Sequence, residues 1–178
     1  MAPITRRTLA AGLAACAALP SPALAQGAAV DSLRRTARGL RQLHAILVQR
    51  GGDLLLAEAP RGPGLDRAAN IKSCSKSIVA LLLGSALARR EIASVTLSLR
   101  GIAPRLVPSD ATPGAGDITL EDLVTLRGGL ESTSGANYGR WVQSPNWVAY
   151  ALRRPMWDRP GGQMIYSTGS THVLGAAL

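Results

Sequence analysis

The spacing of one serine and one lysine is the feature of this sequence that most clearly indicates chemistry. Ser73 and Lys76 stand three residues apart in the run Ser-Cys-Ser-Lys, which opens an apolar stretch. In a helix this spacing puts both side chains on one face. An amine beside a hydroxyl on a partly buried turn loses its own proton more easily. The neutral amine can then accept the proton of the serine hydroxyl, and the serine oxygen becomes a nucleophile. The pair therefore indicates acyl transfer, and the alternative is a helix-capping serine followed by a solvated lysine.

The use of lysine at this position is informative because the chain otherwise uses arginine. Of its 20 basic residues, only Lys72 and Lys76 are lysines. Arginine cannot serve as a base, since its guanidinium keeps its proton in proteins. The net charge of +9 comes from arginines that are scattered singly or in pairs, and only 3% of the residues are aromatic. This pattern argues against a nucleic-acid-binding surface and favours a solvated, basic one.

Few other residues are candidates for a site. The chain has two cysteines, Cys16 and Cys74, and two histidines, His44 and His172. These numbers are too small for a disulfide framework or a histidine-rich metal site, so we expect no cofactor and no metal. Cys74 is predicted to be a small buried residue. Both histidines are predicted to be structural, and a place in the wall of an active-site cleft is the alternative for His172.

Residues 1–25 have the pattern of an export signal. A charged start with Arg6 and Arg7 precedes a short apolar stretch, and Ala23-Leu24-Ala25 is a cleavage site of the A-x-A type. The adjacent arginines are similar to those of twin-arginine signals, which direct the export of folded proteins. The pattern predicts a periplasmic or secreted protein.

The mature protein is expected to be a single domain of residues 26–178. Cleavage before Gln26 would produce it, and lipidation of Cys16 in a lipobox-like context is the alternative. No apolar run after the signal approaches the ~20 residues that a membrane-spanning helix needs. Hence no transmembrane segment is expected after removal of the signal.

The elements around Ser73 and Lys76 follow from local patterns. A buried helix is predicted over Ser73–Arg90, because serines favour its start and two arginines favour its end. Strands over His44–Arg50 and Leu54–Glu58 are predicted to form a hairpin around the turn Gly51-Gly52-Asp53. Leucines among arginines predict an amphipathic helix over Asp31–Leu43.

Later segments are predicted to be mostly helical. The pattern Thr119-x-x-Asp122 predicts the start of a short helix within Asp117–Leu126, which makes Glu121 and Asp122 helix-start acids and not a catalytic pair. Other segments are predicted as loops at 59–70 and 104–116 and as helices at Ser144–Leu152 and Ser170–Leu178. A hairpin followed by helices predicts an α+β fold.

Four segments, in order, resemble the β-lactamase-related serine hydrolases, which include class C β-lactamases, DD-peptidases and aminohexanoate-oligomer hydrolases. They are the hairpin at 44–58, the segment 71–84 around the Ser-x-x-Lys motif, the segment Ile118–Leu130, which is similar to the family pattern hLLtmtSGL, and the segment Pro160–Gly175. The resemblance covers about residues 44–178. It implies a β-lactamase/transpeptidase-like fold with an antiparallel sheet and helices.

The resemblance also implies roles for individual residues. Ser73 is the acylated nucleophile, Lys76 its proton partner and Tyr166 a second general acid or base. Thr168 stands where the family usually has Asn, and it has no amide donor. The third family motif, Lys or His-x-Gly on a late strand, is not found in these 178 residues. We therefore expect the N-terminal part of such a domain, incomplete at its C-terminus.

The function expected from these observations is that of a serine hydrolase acting on an amide or ester through an acyl-enzyme at Ser73. The substrate is a small molecule or peptide, and β-lactams, peptides, amide oligomers and esters all remain open because fold alone does not choose among them. The alternatives are a truncated or degenerate relative without catalysis in the cell envelope and a basic structural protein of the envelope.

Overall fold

A computed structural model of the protein describes residues 22–178, with side chains from Gln26 onward. The predicted signal arginines and Cys16 lie outside the described residues. Between residues 22 and 178, no helix combines the length and the apolar character needed to cross a membrane. The chain divides between Asn70 and Ile71 into two compact units, which are described in turn.

The described part of the first unit starts with helix α1, Pro22–Gly39. The helix predicted over Asp31–Leu43 is therefore wrong at both ends. Proline suits the first turn of a helix, where its missing N–H would have no partner, and the alanine-rich residues after Pro22 are strong helix formers. The helix ends at a glycine, and residues 41–42 form a turn instead of another helical turn.

Strands β1 (Ile46–Arg50) and β2 (Asp53–Glu58) pair antiparallel, which confirms the predicted hairpin. The two residues that connect them, Gly51 and Gly52, have φ values of +57° and +96°. Glycine adopts such values without a steric penalty, so this pair permits a tight turn. The register shifts between Val48 and Gln49, which is a β-bulge.

Helix α1 packs on strand β2. Ala37 and Leu56 are buried here, with 2% and 3% of their surface exposed. Arg34 and Arg38 both form ion pairs with Glu58 on the strand. One helix face therefore supplies both the apolar contact and the charges that hold the hairpin in the first unit.

The second unit opens with a 3-10 turn, Lys72–Cys74, which continues directly into helix α2, Ser75–Ala88. The predicted helix is confirmed, but its predicted serine cap is wrong: the N-cap residue is Cys74, and no side chain accepts a capping hydrogen bond. The predicted burial is also wrong, because Leu83 alone is fully buried in α2, whereas Leu81 is 73% exposed. The helix has apolar residues of its own on every face, and α7 (Thr168–Ala177) packs against only one of these faces.

Four short helices lie between α2 and α7, namely α3 (Leu99–Ile102), α4 (Leu120–Val124), α5 (Tyr138–Val142) and α6 (Trp147–Leu152). Helices α4, α6 and α7 confirm predicted elements, with shifted ends. Helices α3 and α5 were not predicted, and the predicted loop 104–116 contains a 3-10 turn over Pro104–Leu106. Elements of three to five residues are too short to show an apolar period in the sequence.

The start of α4 matches its predicted capping pattern. The Asp122 N–H donates to Thr119 Oγ1 at 3.1 Å, and the Thr119 N–H donates to Asp122 Oδ2 at 2.9 Å. This reciprocal pair is a capping box, which satisfies two backbone donors at the helix start. Asp122 is thereby committed to structure, as the sequence predicts.

The core of the second unit is aliphatic. Its fully buried large side chains come from α3, α4, α6 and α7 and from the residue that precedes the capping box: Leu99, Ile118, Leu120, Leu123, Leu152, Val173 and Leu174. Burial of each such side chain is worth about 1.5–3 kcal/mol relative to exposure. Helix α7 packs against both α4 and α6, so this core fixes the position of its first turn. The hairpin together with these helices confirms the predicted α+β class.

Candidate active site

Ser73 lies within the 3-10 turn that leads into α2. The turn begins at Lys72, whose φ is +50°, and the Ser75 hydroxyl donates to the Lys72 carbonyl oxygen at 2.7 Å. The Ser73 side chain is exposed, so a substrate can reach its oxygen. The start of a helix also favours negative charge that develops nearby.

Lys76 lies one turn further along, with its ammonium directed toward Ser73. Its Nζ donates to Ser73 Oγ at 3.5 Å and to Thr168 Oγ1 at 3.4 Å. Both are long hydrogen bonds, and such contacts commonly tighten when a substrate is bound. The pairing of Ser73 with Lys76 that the spacing predicts is therefore present in the folded chain.

Tyr166 completes the arrangement from 93 residues away. Its hydroxyl donates to Ser73 Oγ at 2.7 Å. The Lys76 Nζ lies 5.1 Å from the centre of the Tyr166 ring. The hydrogen bond with Ser73 does most to lower the pKa of Tyr166; desolvation opposes this shift, and the positive charge of Lys76 lowers the pKa further. A phenol with a lowered pKa exchanges protons more readily with its neighbours.

Two runs of hydroxyl residues hold Tyr166 in place. Residues 132–134 are Ser-Thr-Ser and residues 166–168 are Tyr-Ser-Thr. The Ser132 hydroxyl donates to the Tyr166 carbonyl oxygen at 2.6 Å, and the Thr133 N–H donates to the buried Ser167 Oγ at 3.1 Å. These bonds tie the Tyr166 carbonyl group and the residue that follows it to the segment that follows Leu130.

The same segment reaches Thr168. Its Oγ1 lies 2.9 Å from Ser134 Oγ, and its N–H donates to Ser134 Oγ, also at 2.9 Å. Residues 132–134 were not predicted to belong to a site. No spacing rule identifies them, because a serine- and threonine-rich run is equally typical of an exposed loop.

A cavity of about 380 Å³ lies beside Lys76, between α2 and α7. Its wall includes Val79, Trp141 and His172. The His172 ring contacts Trp141 and Trp147 edge-on, at 5.6 and 5.3 Å between ring centres. Burial lowers the pKa of His172, so its neutral form is favoured. His172 therefore occupies the cavity wall, which is the predicted alternative to a structural role.

Cys74 differs from expectation, and the two other tyrosines of the chain make ring contacts with other residues. Cys74 is an exposed free thiol, so the prediction of a buried cysteine is wrong; its position in the 3-10 turn turns the side chain out to solvent. Tyr150 stacks under Arg154 and Tyr138 lies against Trp141. In the described part of the chain, no cluster of three or more histidine, cysteine or acidic residues could hold a metal ion.

A comparison with protein-family models identifies the family of this chain. The Beta-lactamase family model matches residues 33–178, a span that contains the hairpin, Ser73, Lys76 and Tyr166. No curated protein matches the chain significantly. The family match extends over most of the sequence and coincides with the α+β architecture. The chain therefore belongs to the β-lactamase family, which is part of a superfamily of serine hydrolases.

Proposed function

We propose that this protein transfers an acyl group from an amide or ester to Ser73 and then to water. The observation that carries the proposal is the convergence of two proton-exchanging groups on one exposed hydroxyl. Ser73 Oγ lies 2.7 Å from Tyr166 Oη and 3.5 Å from Lys76 Nζ. Covalent catalysis needs a nucleophile that lies within hydrogen-bonding reach of a base, and this arrangement provides one.

In the acylation step, Ser73 Oγ attacks the carbonyl carbon of the substrate. As the new C–O bond forms, the hydroxyl proton passes to the neutral amine of Lys76 or to the phenolate of Tyr166. The carbonyl π electrons move to the oxygen and return as the bond to the leaving amine or alcohol breaks. The leaving group takes up the proton and departs as a neutral molecule.

In the deacylation step, a water molecule attacks the ester carbon of the acyl-enzyme. The same pair of groups accepts the proton of the water, and the Ser73 oxygen departs with the electrons of its bond to the acyl carbon. Ser73 then recovers a proton from that pair, and the carboxylic acid leaves. The sum of both steps is hydrolysis of one amide or ester bond.

Labelling with a fluorophosphonate tests the proposed nucleophile. The probe phosphonylates activated serines, so we expect one label per chain, on Ser73, in peptide mapping of the full-length protein. The Ser73→Ala variant should lose the label, and Ser77→Ala, at an exposed serine of helix α2, should keep it. A label on Ser75 or on Cys74 would overturn the assignment.

The alternative of a non-catalytic relative makes a different prediction in the same experiment. Such a protein would take up no label on Ser73 while remaining folded by circular dichroism. Hydrolysis of a panel of chromogenic substrates, a cephalosporin, a nitroanilide and a nitrophenyl ester, then assigns the substrate class. Turnover that persists in Ser73→Ala would contradict the proposed mechanism.

We also propose that the protein is exported, on the basis of Arg6 and Arg7 and of the A-x-A site that ends at Ala25. Mass spectrometry of the protein recovered from outside the cytoplasm should find an N-terminus at Gln26. An intact Met1 in that fraction, or a lipid on Cys16, would contradict this proposal.

A further inference from the structure

We propose that Ser134 is a positioning residue that holds Lys76 against Ser73 through the hydroxyl of Thr168. The inference rests on the proposed function, because it concerns the proton partner of the same nucleophile. It adds a residue that lies 58 positions after Lys76 in the chain and whose hydroxyl contacts that of Thr168.

The contacts form a short chain of polar atoms. Lys76 Nζ donates to Thr168 Oγ1 at 3.4 Å, and Thr168 Oγ1 lies 2.9 Å from Ser134 Oγ. The Ser134 oxygen is itself held by backbone, since it accepts the Thr168 N–H at 2.9 Å. The Ser134 N–H donates in turn to Ser132 Oγ at 2.9 Å. Ser134 is therefore anchored, whereas a Thr168 hydroxyl without it would be free to rotate away from Lys76.

The charge environment makes this hydroxyl pair important. Neither the turn Lys72–Cys74 nor helices α2 and α7 contain any Asp or Glu. From these elements, the Lys76 ammonium thus receives neutral hydroxyl oxygens and no carboxylate. A carboxylate beside Lys76 would bind the ammonium strongly and oppose its loss of a proton.

A pair of hydroxyls also suits a group that gains and loses a proton. Either oxygen of the Thr168–Ser134 pair can be the donor. When Lys76 is an ammonium, Thr168 accepts from it and donates to Ser134. When Lys76 is a neutral amine, Ser134 donates to Thr168, whose hydroxyl donates to the amine lone pair. The nitrogen can therefore keep its place beside Ser73 in both states.

The kinetic experiment is a double-variant cycle on the full-length chain, with the fluorophosphonate labelling rate of Ser73 as readout. Ser134→Ala and Thr168→Val should each slow labelling about tenfold, the effect of one net hydrogen bond. The double variant should be no slower than Thr168→Val alone, because the proposed route from Ser134 to Lys76 passes through the Thr168 hydroxyl, which Thr168→Val already removes. Ser134→Thr, which keeps a hydroxyl, should restore most of the rate.

A spectroscopic measurement makes the test independent of turnover. The chain contains two lysines, so lysine labelled with ¹³C at Cε gives two signals, and Lys72→Arg assigns them. Ser134→Ala should displace the Lys76 signal and leave the Lys72 signal in place. Ser77→Ala, on the same helix as Lys76, should displace neither by a comparable amount.

The outcomes separate this inference from the proposed function. If Ser73 is labelled but Ser134→Ala neither slows labelling nor moves the Lys76 signal, the positioning role is wrong and the nucleophile stands. Equal slowing by Ser134→Ala in the Thr168→Val background would also overturn it, because Ser134 would then act by another route. If Ser73 is not labelled at all, the proposed function fails and this role fails with it.

Discussion

The candidate site pairs a serine with a lysine in a chain that uses arginine for 18 of its 20 basic residues. Lysine and arginine side chains carry the same charge, but they differ in whether the proton can leave. The guanidinium keeps its proton in proteins, whereas an amine can give up its proton and accept one from a hydroxyl. At the scale of single residues, the proton chemistry therefore depends on this choice.

The substitution Lys76→Arg tests that choice while it keeps the positive charge. We expect fluorophosphonate labelling of Ser73 to disappear, because an arginine cannot accept the serine proton. The matched control is Lys72→Arg, the same substitution at the other lysine, which should be labelled like the unchanged chain. Undiminished labelling in Lys76→Arg would show that Lys76 does not take the proton.

Tyr166 leads to a prediction about pH. Its pKa is lowered from the ordinary 10.0, first by the hydrogen bond with Ser73. If the phenolate serves as a base, the rate of Ser73 labelling rises as the phenol loses its proton. The midpoint of this rise should therefore lie below pH 10.0.

The variant Tyr166→Phe should lack this alkaline rise and react about 10²- to 10⁴-fold more slowly, as is typical for loss of an acid–base group. Tyr138→Phe is the matched control, because it makes the same substitution at a tyrosine whose ring lies against Trp141. A pH profile that is unchanged in Tyr166→Phe would assign the proton transfer to another group.

At the scale of elements, the first turn of α7 must approach the Ser-Thr-Ser segment closely. The Gly169 N–H donates to Thr133 Oγ1 at 2.7 Å. A Cβ added at Gly169 would lie 2.8 Å from that oxygen and 2.9 Å from the Cβ of Ala151. Glycine is required here because a side chain would collide with these neighbours. The close contact aligns Tyr166 and Thr168 with the segment that holds them.

Gly169→Ala should therefore lower the free energy of unfolding by about 1–3 kcal/mol, the usual cost of overpacking, and slow the labelling of Ser73. Gly175→Ala on the same helix is the control, since its Cβ would meet Val79 Cγ2 at an ordinary 3.9 Å. The free energy of unfolding of Gly175→Ala should rise by about 0.4–1 kcal/mol, because alanine favours the helix more than glycine does. Equal stability of the two variants in urea denaturation would contradict this account.

At the scale of the whole molecule, helix α2 presents an apolar surface to solvent. Ile78, Leu81 and Leu82 are 48%, 73% and 55% exposed, and their spacing at three and four residues makes them neighbours on the helix. Contiguous apolar surface of this kind binds environment-sensitive dyes.

A double variant, Leu81→Gln with Leu82→Gln, should reduce the fluorescence of such a dye and leave the circular dichroism unchanged. Leu65→Gln is the control, because Leu65 is an exposed leucine of the first unit, 44% exposed, and lies outside this surface. Dye binding that is equal in both variants would show that the dye reports another part of the molecule.

Some of this structure is determined by the sequence alone, because the interactions are local. The pairing of Ser73 with Lys76 follows from the three-residue spacing on one helical turn. The hairpin follows from the glycine pair between apolar runs, and the start of α4 follows from the Thr119-x-x-Asp122 pattern. Each of these depends on residues within a few positions of one another.

Only the tertiary structure decides the rest. Tyr166 reaches Ser73, and Thr168 reaches Ser134, because the core packs α7 against α4 and α6 and so fixes its first turn. No local pattern records which distant segments will meet, since burial and packing are properties of the whole chain. The same reason explains why helix α2 was wrongly predicted to be buried. Periodicity and composition report only how apolar a segment is, whereas the neighbours that pack against α2 determine how much of it is covered.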